Sequence, residues 1–394
     1  MFTFFRTLSL PIWLLVILSF LLGMNEFIII GIIPDLAKTL GVSLTDAGTT
    51  VSVFAFAYAL GTPFCAALAG LFDRNRAFTV GLFIFTIFMA LSIVDPNYDV
   101  FLICRVVLAL VSGTLLSLSM AFAEEMALPG QAAPVVACIF SGFSIASVFG
   151  VPLATAWSHF MGWRLVFITL SILSLIVSLL LIKTLPPAKQ RPATNLWHQF
   201  ALLKNRQILL CAACVFCTAG ASYTFYTYFS PYLQHVLGIP APAVSIGLFL
   251  YGIAALVSNI FSGKLGANYT MPHIPGLYVA QGITLAALAV FSYSLELSII
   301  TLAVLGLLMY LINAPAQMYF LTIANKRYPD CINLSSSLSP VCFNYGIAAG
   351  SFTGSFIVDT FQLPDVGLGG VVFAVVGLMC CLALRHVDGE IESR

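Results

Sequence analysis

Residues 12–34 read IWLLVILSFLLGMNEFIIIGIIP, an apolar run that contains a single charged residue, Glu26. A helix needs about 20 apolar residues to cross a bilayer core that is about 30 Å thick. The run is long enough for this, and it is too long for the apolar region of a signal peptide. We therefore interpret it as a retained first transmembrane helix.

The composition of the whole chain agrees with this interpretation. Of the 394 residues, 60% are hydrophobic and only 8% are charged, and the mean hydropathy is +1.04. An ordinary soluble domain carries roughly 25% charged residues. A soluble chain this apolar could not cover its own surface, so we expect lipid to cover it. The basic residues occur singly or in pairs, which gives no indication of nucleic-acid binding.

Eleven more apolar runs follow the first, and together they predict an all-α polytopic membrane protein with twelve transmembrane helices. The twelve predicted spans are 12–34, 48–70, 77–95, 99–123, 134–157, 164–184, 208–233, 242–262, 274–294, 297–324, 335–358 and 368–385.

The positions of lysine and arginine predict the orientation, because cytoplasmic loops are enriched in these residues. If the N-terminus lies inside, thirteen of the sixteen fall on the cytoplasmic side. They are Arg6, Arg74, Arg76, Lys183, Lys189, Arg191, Lys204, Arg206, Lys264, Lys326, Arg327, Arg385 and Arg394. We expect both termini to be cytoplasmic.

The longest loop divides the chain into two halves of six helices each. It is polar, basic and proline-containing, and it predicts an N-terminal bundle over 1–184, a cytoplasmic linker over 185–207 and a C-terminal bundle over 208–394.

Spans five and eleven, which occupy matching places in the two halves, both carry small residues at every fourth position. These residues are Gly142, Ala146, Gly150, Gly346, Gly350 and Gly354. Such a face allows close helix approach and is compatible with ordinary tight packing. Its recurrence favours two pseudo-symmetric bundles that rock against each other on close-packed, sliding faces.

Glu26 and Arg105 are the clearest charged residues inside predicted spans. A charge at the centre of a membrane helix costs about 2.5–3.5 kcal/mol, so we expect each of the two residues to have a structural or functional role. Both lie roughly 10 Å below the predicted outer surface at about 1.5 Å per residue, which makes them candidates for a pair. One reading is a structural ion pair. The other is a carboxylate that binds and releases a proton as Arg105 approaches or withdraws.

A second group of charges lies in the short turn between spans two and three. Asp73, Arg74 and Arg76 anchor this turn on the cytoplasmic side. They also predict a charged latch that closes the inner face, with Glu124 and Glu125 at the end of span four as opposite charges.

The substrate path is predicted from aromatic and amide side chains within spans. Span seven has six aromatic residues among ten, too many for the lipid belt alone, and we select Tyr223 and Tyr226 as cavity residues. The buried amides Asn25, Gln317 and Asn344 are either interhelical hydrogen-bond partners or substrate ligands.

Metal, nucleotide and catalytic sites are not indicated. Cys211, Cys214 and Cys217 are expected to pack as small apolar side chains, since one helix cannot wrap a tetrahedral site. The sequence has no phosphate-cradling glycine loop, nucleophile elbow or His-Glu-x-x-His. We expect neither a cofactor nor an enzyme activity.

The chain also resembles the major facilitator superfamily over essentially its whole length. The best match is to the bacterial drug:proton antiporter group that includes arabinose-efflux-permease-like and purine-efflux-like proteins. The motifs that carry the resemblance are Gly23-Met24-Asn25-Glu26-Phe27 with Gly31-Ile32-Ile33-Pro34, Gly70-Leu71-Phe72-Asp73-Arg74-Asn75-Arg76, Arg105 with Gly113, Gly142 through Gly150-Val151-Pro152, and Gly162-Trp163-Arg164 with Phe167.

The resemblance implies proton coupling by Glu26 and Arg105, a cytoplasmic gate at Gly70, Asp73, Arg74 and Arg76, and an antiporter-type helix face. It implies a substrate site near the midplane, between the halves, and alternating access. The second-half copy of the gate loop, residues 263–268, lacks the acid.

These observations predict proton-coupled export of a sugar, a nucleoside or purine, or a lipophilic drug across a bacterial inner membrane. A proton-coupled uptake symporter of the same fold and, less favoured, a non-transporting receptor remain as alternatives. Small-molecule substrate, protons and lipid are the expected partners, and we expect a monomer.

The predicted topology can be tested by the accessibility of single cysteines. We expect labels at both termini and in the 185–206 loop to react only from the cytoplasm. Labels at Lys38 and Pro240 should react only from outside. An external C-terminus would exclude twelve spans.

Overall fold

The computed structural model describes residues 9–69, 73–94, 97–127, 132–187, 200–268, 271–328 and 332–392. Twelve helices make up these ranges, and we number them in chain order. They are α1 Leu10–Leu40, α2 Leu44–Ala69, α3 Arg74–Val94, α4 Tyr98–Met126, α5 Ala132–Ile145 continued through Ala146–Gly150 to Val151–Met161, α6 Trp163–Thr184, α7 Arg206–Tyr226 continued by Phe229–Pro231 and Tyr232–Val236, α8 Ala241–Asn268, α9 Pro275–Val290, α10 Leu295–Leu308 and Asn313–Arg327, α11 Ile332–Thr360, and α12 Val366–Glu392.

The helices have the lengths and compositions that a membrane requires. Within the described ranges, ten helical segments are long and apolar enough to cross a bilayer. Pro275–Val290 is a shorter apolar helix. The expectation of an all-α polytopic membrane fold is therefore confirmed.

The first helix is longer than the sequence predicts. Pro34 lies inside α1, which continues to Leu40 and ends at Gly41, whose φ of 68° is left-handed. Glycine adopts this conformation without a steric penalty, so Gly41 ends the helix. The predicted end at residue 34 is wrong because a proline does not by itself end a helix. Glu26 consequently lies near the middle of α1.

Helix α7 is interrupted near its predicted outer end. The break falls at Thr227 and Tyr228, just before Pro231. Pro231 has no N–H with which to bond the Thr227 carbonyl four residues earlier, so the helix opens in the preceding turn.

Most helix packing occurs within each half. Helix α1 packs on α2, α5 and α6, while α7 packs on α11 and α12. The halves meet where α2 packs on α11 and where α5 packs on α8. The division at 1–184, 185–207 and 208–394 remains a prediction, and residues 188–199 of the linker lie outside the described ranges.

The repeated glycine faces lie within the halves. A Cβ at Gly142 would overlap with the Val16 carbonyl of α1, and a Cβ at Gly350 would overlap with the Gly220 carbonyl of α7. The expectation of sliding faces between bundles is wrong for these residues. Each face instead brings the first helix of its half into backbone contact with the fifth.

Gly350 gives a test of this contact. Gly350→Ala should lower the free energy of unfolding by about 1–3 kcal/mol, because the Gly220 backbone cannot move aside. Gly263→Ala is the matched control, since a Cβ there meets nothing within 4 Å. We expect thermal unfolding in detergent to show a loss only for Gly350→Ala. Equal stability of the two variants would contradict the close packing.

Candidate functional site

The first component of the site is the carboxylate of Glu26. Its side chain is 6% exposed, near the middle of α1. In the described part of the chain, no side chain donates a hydrogen bond to it and no lysine or arginine nitrogen lies within 4.0 Å. The carboxylate is thus buried without a direct counter-charge.

Arg105 contacts the backbone of α1. Its Nη1 donates to the Asn25 carbonyl and, at 3.0 Å, to Asn25 Oδ1. Its Nη2 donates to the Glu26 carbonyl at 3.4 Å. The guanidinium carbon lies 4.1 Å from the centre of the Phe54 ring, a cation–π distance.

The predicted pair of Glu26 and Arg105 therefore takes a different form. Arg105 acts on the Glu26 carboxylate electrostatically, but it forms no direct ion pair with it in the described structure. The equal depth of the two charges in the membrane predicts that the residues lie close together, but it does not predict which atoms meet. The forked guanidinium group binds the closely spaced carbonyl oxygens of α1 instead of the carboxylate. Arg105 fixes the segment of α1 that carries Glu26.

Aromatic rings from the second half form a cluster near Glu26. Tyr226 stacks on Tyr251 with centroids 4.9 Å apart, and Tyr223 meets Tyr226 edge to face at 5.4 Å. Phe343 contacts Tyr223 at 6.0 Å and stacks on Tyr310 at 5.7 Å. We call these five residues the aromatic cluster. Glu26 acts electrostatically on its members Tyr223 and Tyr310.

The three predicted amides have different environments. Asn25 is fully buried and accepts from Arg105, while its Nδ2 has no partner in the described structure. Asn344 is 7% exposed and donates to the Pro340 carbonyl of its own helix at 3.2 Å. Gln317 is partly exposed in α10. The structure therefore brings Asn25 beside Glu26 and places Asn344 next to Phe343 of the cluster.

A crevice between the halves reaches the aromatic cluster. It has an empty volume of about 230 Å³ and lies between α5 and α8. Its lining residues are Ser144, Ser147, Val148, Ala255, Leu256, Asn259 and Tyr310. Because Tyr310 belongs to both, the crevice adjoins the cluster at the boundary between the halves.

The predicted antiporter-type face of α5 packs against the part of α1 that precedes Glu26. Gly150 packs on Phe20 and Met24 of α1, one turn before Glu26, and Gly142 packs two turns further back. Pro152 is buried at the start of the last segment of α5. This face therefore sets how closely α5 approaches the carboxylate-bearing helix.

The predicted cytoplasmic gate contains one ion pair. Arg74 at the start of α3 pairs with Glu125 at the end of α4. Asp73 accepts a hydrogen bond from the Arg76 backbone N–H at 3.0 Å and so caps α3, while the Arg76 side chain is exposed. Gly70 lies outside the described residues. The structure thus joins α3 to α4, and the gating role stays a prediction.

An uncharged contact joins the two halves at the end of the molecule opposite the predicted cytoplasmic gate. A Cβ at Gly48 of α2 would overlap with the Tyr228 hydroxyl of α7. That hydroxyl donates to Ser355 Oγ of α11 at 2.7 Å. Tyr228 is fully buried. A phenol ring of the second half therefore fills the space left by a glycine of the first half.

Sequence reasoning missed several residues of the site. Tyr251 and Tyr310 share their apolar spans with other aromatic residues, and Phe54 is one of many phenylalanines. Their positions give no periodic signal that separates a cluster from lipid-facing side chains. Only the contact of α8, α10 and α2 with their neighbours identifies them.

Comparison with known proteins gives the class of the molecule. Residues 15–330 match the family described as Major Facilitator Superfamily. The chain is 30% identical over 376 residues to the uncharacterized MFS-type transporter YbcL of Bacillus subtilis, covering 93% of this chain and 94% of that protein. It is 28% identical over 378 residues to the inner membrane transport protein YdhP of Escherichia coli, covering 96% and 95%.

Solved structures show the same fold. A bacterial homolog of the human lysosomal transporter Spinster, in an inward-facing and unoccupied conformation, superimposes with a TM-score of 0.78 at 15% identity. The alignment covers 95% of this chain and 96% of that one.

The fold and these relatives define a multi-pass membrane transporter. The chain belongs to the major facilitator superfamily.

The contact of Arg105 with α1 predicts that its shape matters as well as its charge. Arg105→Lys keeps the charge but loses the fork, so it should cost about 1–3 kcal/mol of unfolding free energy. Arg164→Lys is the control, because Arg164 lies over the Trp163 ring at 4.8 Å and makes no comparable clamp. The measurement is thermal unfolding of both variants. If Arg105→Lys is as stable as the wild type, the positive charge alone is sufficient.

Proposed function

We propose that this transporter exports a small molecule by proton-driven antiport, with Glu26 as the proton-binding group. The observation that carries the proposal is a buried carboxylate with no direct counter-charge in the described structure. An ionised carboxylate in such a place is costly, and protonation removes the cost. A change in solvent access or in the distance to Arg105 would therefore shift its protonation.

The geometry around Glu26 supports coupling to a substrate. The carboxylate belongs to the first half, and the aromatic cluster on which it acts electrostatically belongs to the second half. A relative movement of the halves would alter both the surroundings of Glu26 and the cluster. Proton release and substrate binding would then depend on the same movement, as alternating access requires.

The proton gradient supplies enough free energy for uphill export. One proton crossing 100 mV gives about 2.3 kcal/mol. A pH difference of one unit adds about 1.4 kcal/mol. Roughly 150 mV with half a pH unit therefore gives about 4 kcal/mol, which sustains a substrate gradient approaching a thousandfold.

Export is favoured over uptake by the resemblance of α5 to the antiporter-type helix. Gly142, Gly150 and Pro152 carry this resemblance, and the two glycines pack against α1 on the N-terminal side of Glu26. A proton-coupled uptake symporter would use the same carboxylate, so it remains the second candidate. We assign the chain to the drug:proton antiporter group on these residues.

The gate and the location complete the proposal. The pair of Arg74 and Glu125 joins α3 to α4 at the predicted cytoplasmic end, where breaking or forming it would accompany opening. We place the protein in a bacterial inner membrane as a monomer, with both termini cytoplasmic. YdhP, one of the relatives, is named as an inner membrane transport protein.

Glu26→Gln tests the proton coupling. We expect the variant to fold, because the amide removes a buried charge, and to lose transport against a gradient while keeping some downhill exchange. Glu296→Gln is the control, since Glu296 is an exposed acid at the start of α10. The measurement is substrate movement in proteoliposomes with an imposed pH gradient. Uphill transport by Glu26→Gln would show that another group couples the proton.

A further inference from the structure

Cysteines of α7 and α12 face each other inside the second half. The Cys217 thiol lies within hydrogen-bond reach of the Cys380 thiol, and the Cys214 thiol lies within reach of the Cys381 thiol. All four are free thiols. In the sequence each pair belongs to a single helix, and only the fold brings the two pairs together.

The backbones of α7 and α12 approach each other closely at these cysteines. A Cβ added at Gly377 of α12 would lie 3.0 Å from the Cys217 Cβ, and Cys214 Sγ donates to the Gly377 carbonyl at 3.9 Å. Two turns earlier, a Cβ at Gly370 would overlap with the Ala221 carbonyl of α7. Close approach of this kind is what a disulfide between two helices requires, since its Cβ atoms lie about 3.5–4.5 Å apart.

The two pairs differ in their access to the surroundings. Cys214 and Cys381 are fully buried, and Cys381 Sγ donates to the Met271 carbonyl at 3.4 Å. Cys380 is partly exposed, and its neighbour Met379 is 64% exposed on the outer surface of the apolar helix α12. An apolar reagent dissolved in the bilayer can therefore reach Cys380, whereas the inner pair is shielded.

We propose that Cys217 and Cys380 form a redox-sensitive site that lipid-soluble hydroperoxides convert into a disulfide between α7 and α12. The Cys380 sulfur attacks the O–O bond, which leaves a sulfenic acid on Cys380 and releases an alcohol. The Cys217 sulfur then displaces the sulfenic hydroxyl, which forms the S–S bond and releases water. Two thiols are oxidised and one hydroperoxide is reduced to an alcohol and water, so the step balances without another reactant.

The disulfide acts on the helix that carries part of the aromatic cluster. Cys217 precedes Tyr223 by less than two turns, and α7 is continuous between them. A covalent link to α12 restrains this segment of α7 without joining the two halves. Thiol reductants reverse the link by exchange. The inference is independent of the proposed proton coupling, because no step involves Glu26.

Cumene hydroperoxide is the probe, applied to the purified protein in lipid nanodiscs. We expect the intact mass to fall by the mass of two hydrogen atoms. Peptide mapping should find a Cys217–Cys380 link, with Cys214 and Cys381 still able to react with an alkylating reagent after denaturation. The melting temperature should rise by several degrees, because the link constrains a long loop of the unfolded chain. A thiol reductant should reverse both changes.

Three alanine variants identify the residues that react. Cys380→Ala removes the thiol that the hydroperoxide reaches, so it should prevent both the link and the rise in melting temperature. Cys217→Ala leaves Cys380 without a partner, so the mass should increase by added oxygen instead. Cys138→Ala is the matched control, since Cys138 is a partly exposed thiol of α5 in the first half. That variant should form the link as the wild type does.

Several outcomes would overturn the inference. Addition of oxygen to Cys380 of the wild type without a link would show that the two thiols do not meet. A link between Cys214 and Cys381 alone, or between Cys380 and Cys381, would contradict the assigned pair. A link that persists in Cys380→Ala would exclude the proposed route of attack. An unchanged melting temperature of the linked protein would exclude the restraint of α7.

Discussion

The grip of Arg105 on the backbone of α1 is the interaction on which the site depends. A guanidinium buried in an apolar bundle must find acceptors, and the carbonyls of Asn25 and Glu26 supply them. Because carbonyl oxygens neutralise only part of its charge, Arg105 still acts electrostatically on the Glu26 carboxylate. One side chain therefore positions the acid and influences its charge state without forming a salt bridge that would hold it ionised.

The rest of the first half holds this arrangement in place through close helix packing. The glycine face of α5 lets α1 approach closely at Phe20 and Met24, just before the Arg105 contact. The second half repeats the device, with the glycines of α11 against the backbone of α7. The helices that carry Glu26 and Tyr223 are thus each fixed by a fifth helix of their own half. The same kind of contact thus organises both halves.

Several features of the molecule follow from the sequence because they depend on local physics. The cost of a charge in a membrane is sufficient to single out Glu26 and Arg105, and the length of apolar runs is sufficient to predict the fold. The form of their contact is not predictable in this way, because it depends on the distance between two helices far apart in sequence. The end of α1 was missed for a local reason, since Gly41 rather than Pro34 ends it. Only tertiary packing shows that Tyr251 and Tyr310 belong to the aromatic cluster.

The contact of Gly48 with Tyr228 is uncharged, whereas the contact at the opposite end of the molecule is an ion pair. On the predicted outer side, a neutral ring bonded to Ser355 fills a glycine-lined space, and withdrawing it exposes no charge. On the predicted cytoplasmic side, the Arg74 and Glu125 pair is partly exposed. Dissolved ions screen exposed pairs and leave uncharged contacts unaffected. A change in ionic strength therefore acts on the Arg74 and Glu125 pair and leaves the contact of Tyr228 with Gly48 unaffected.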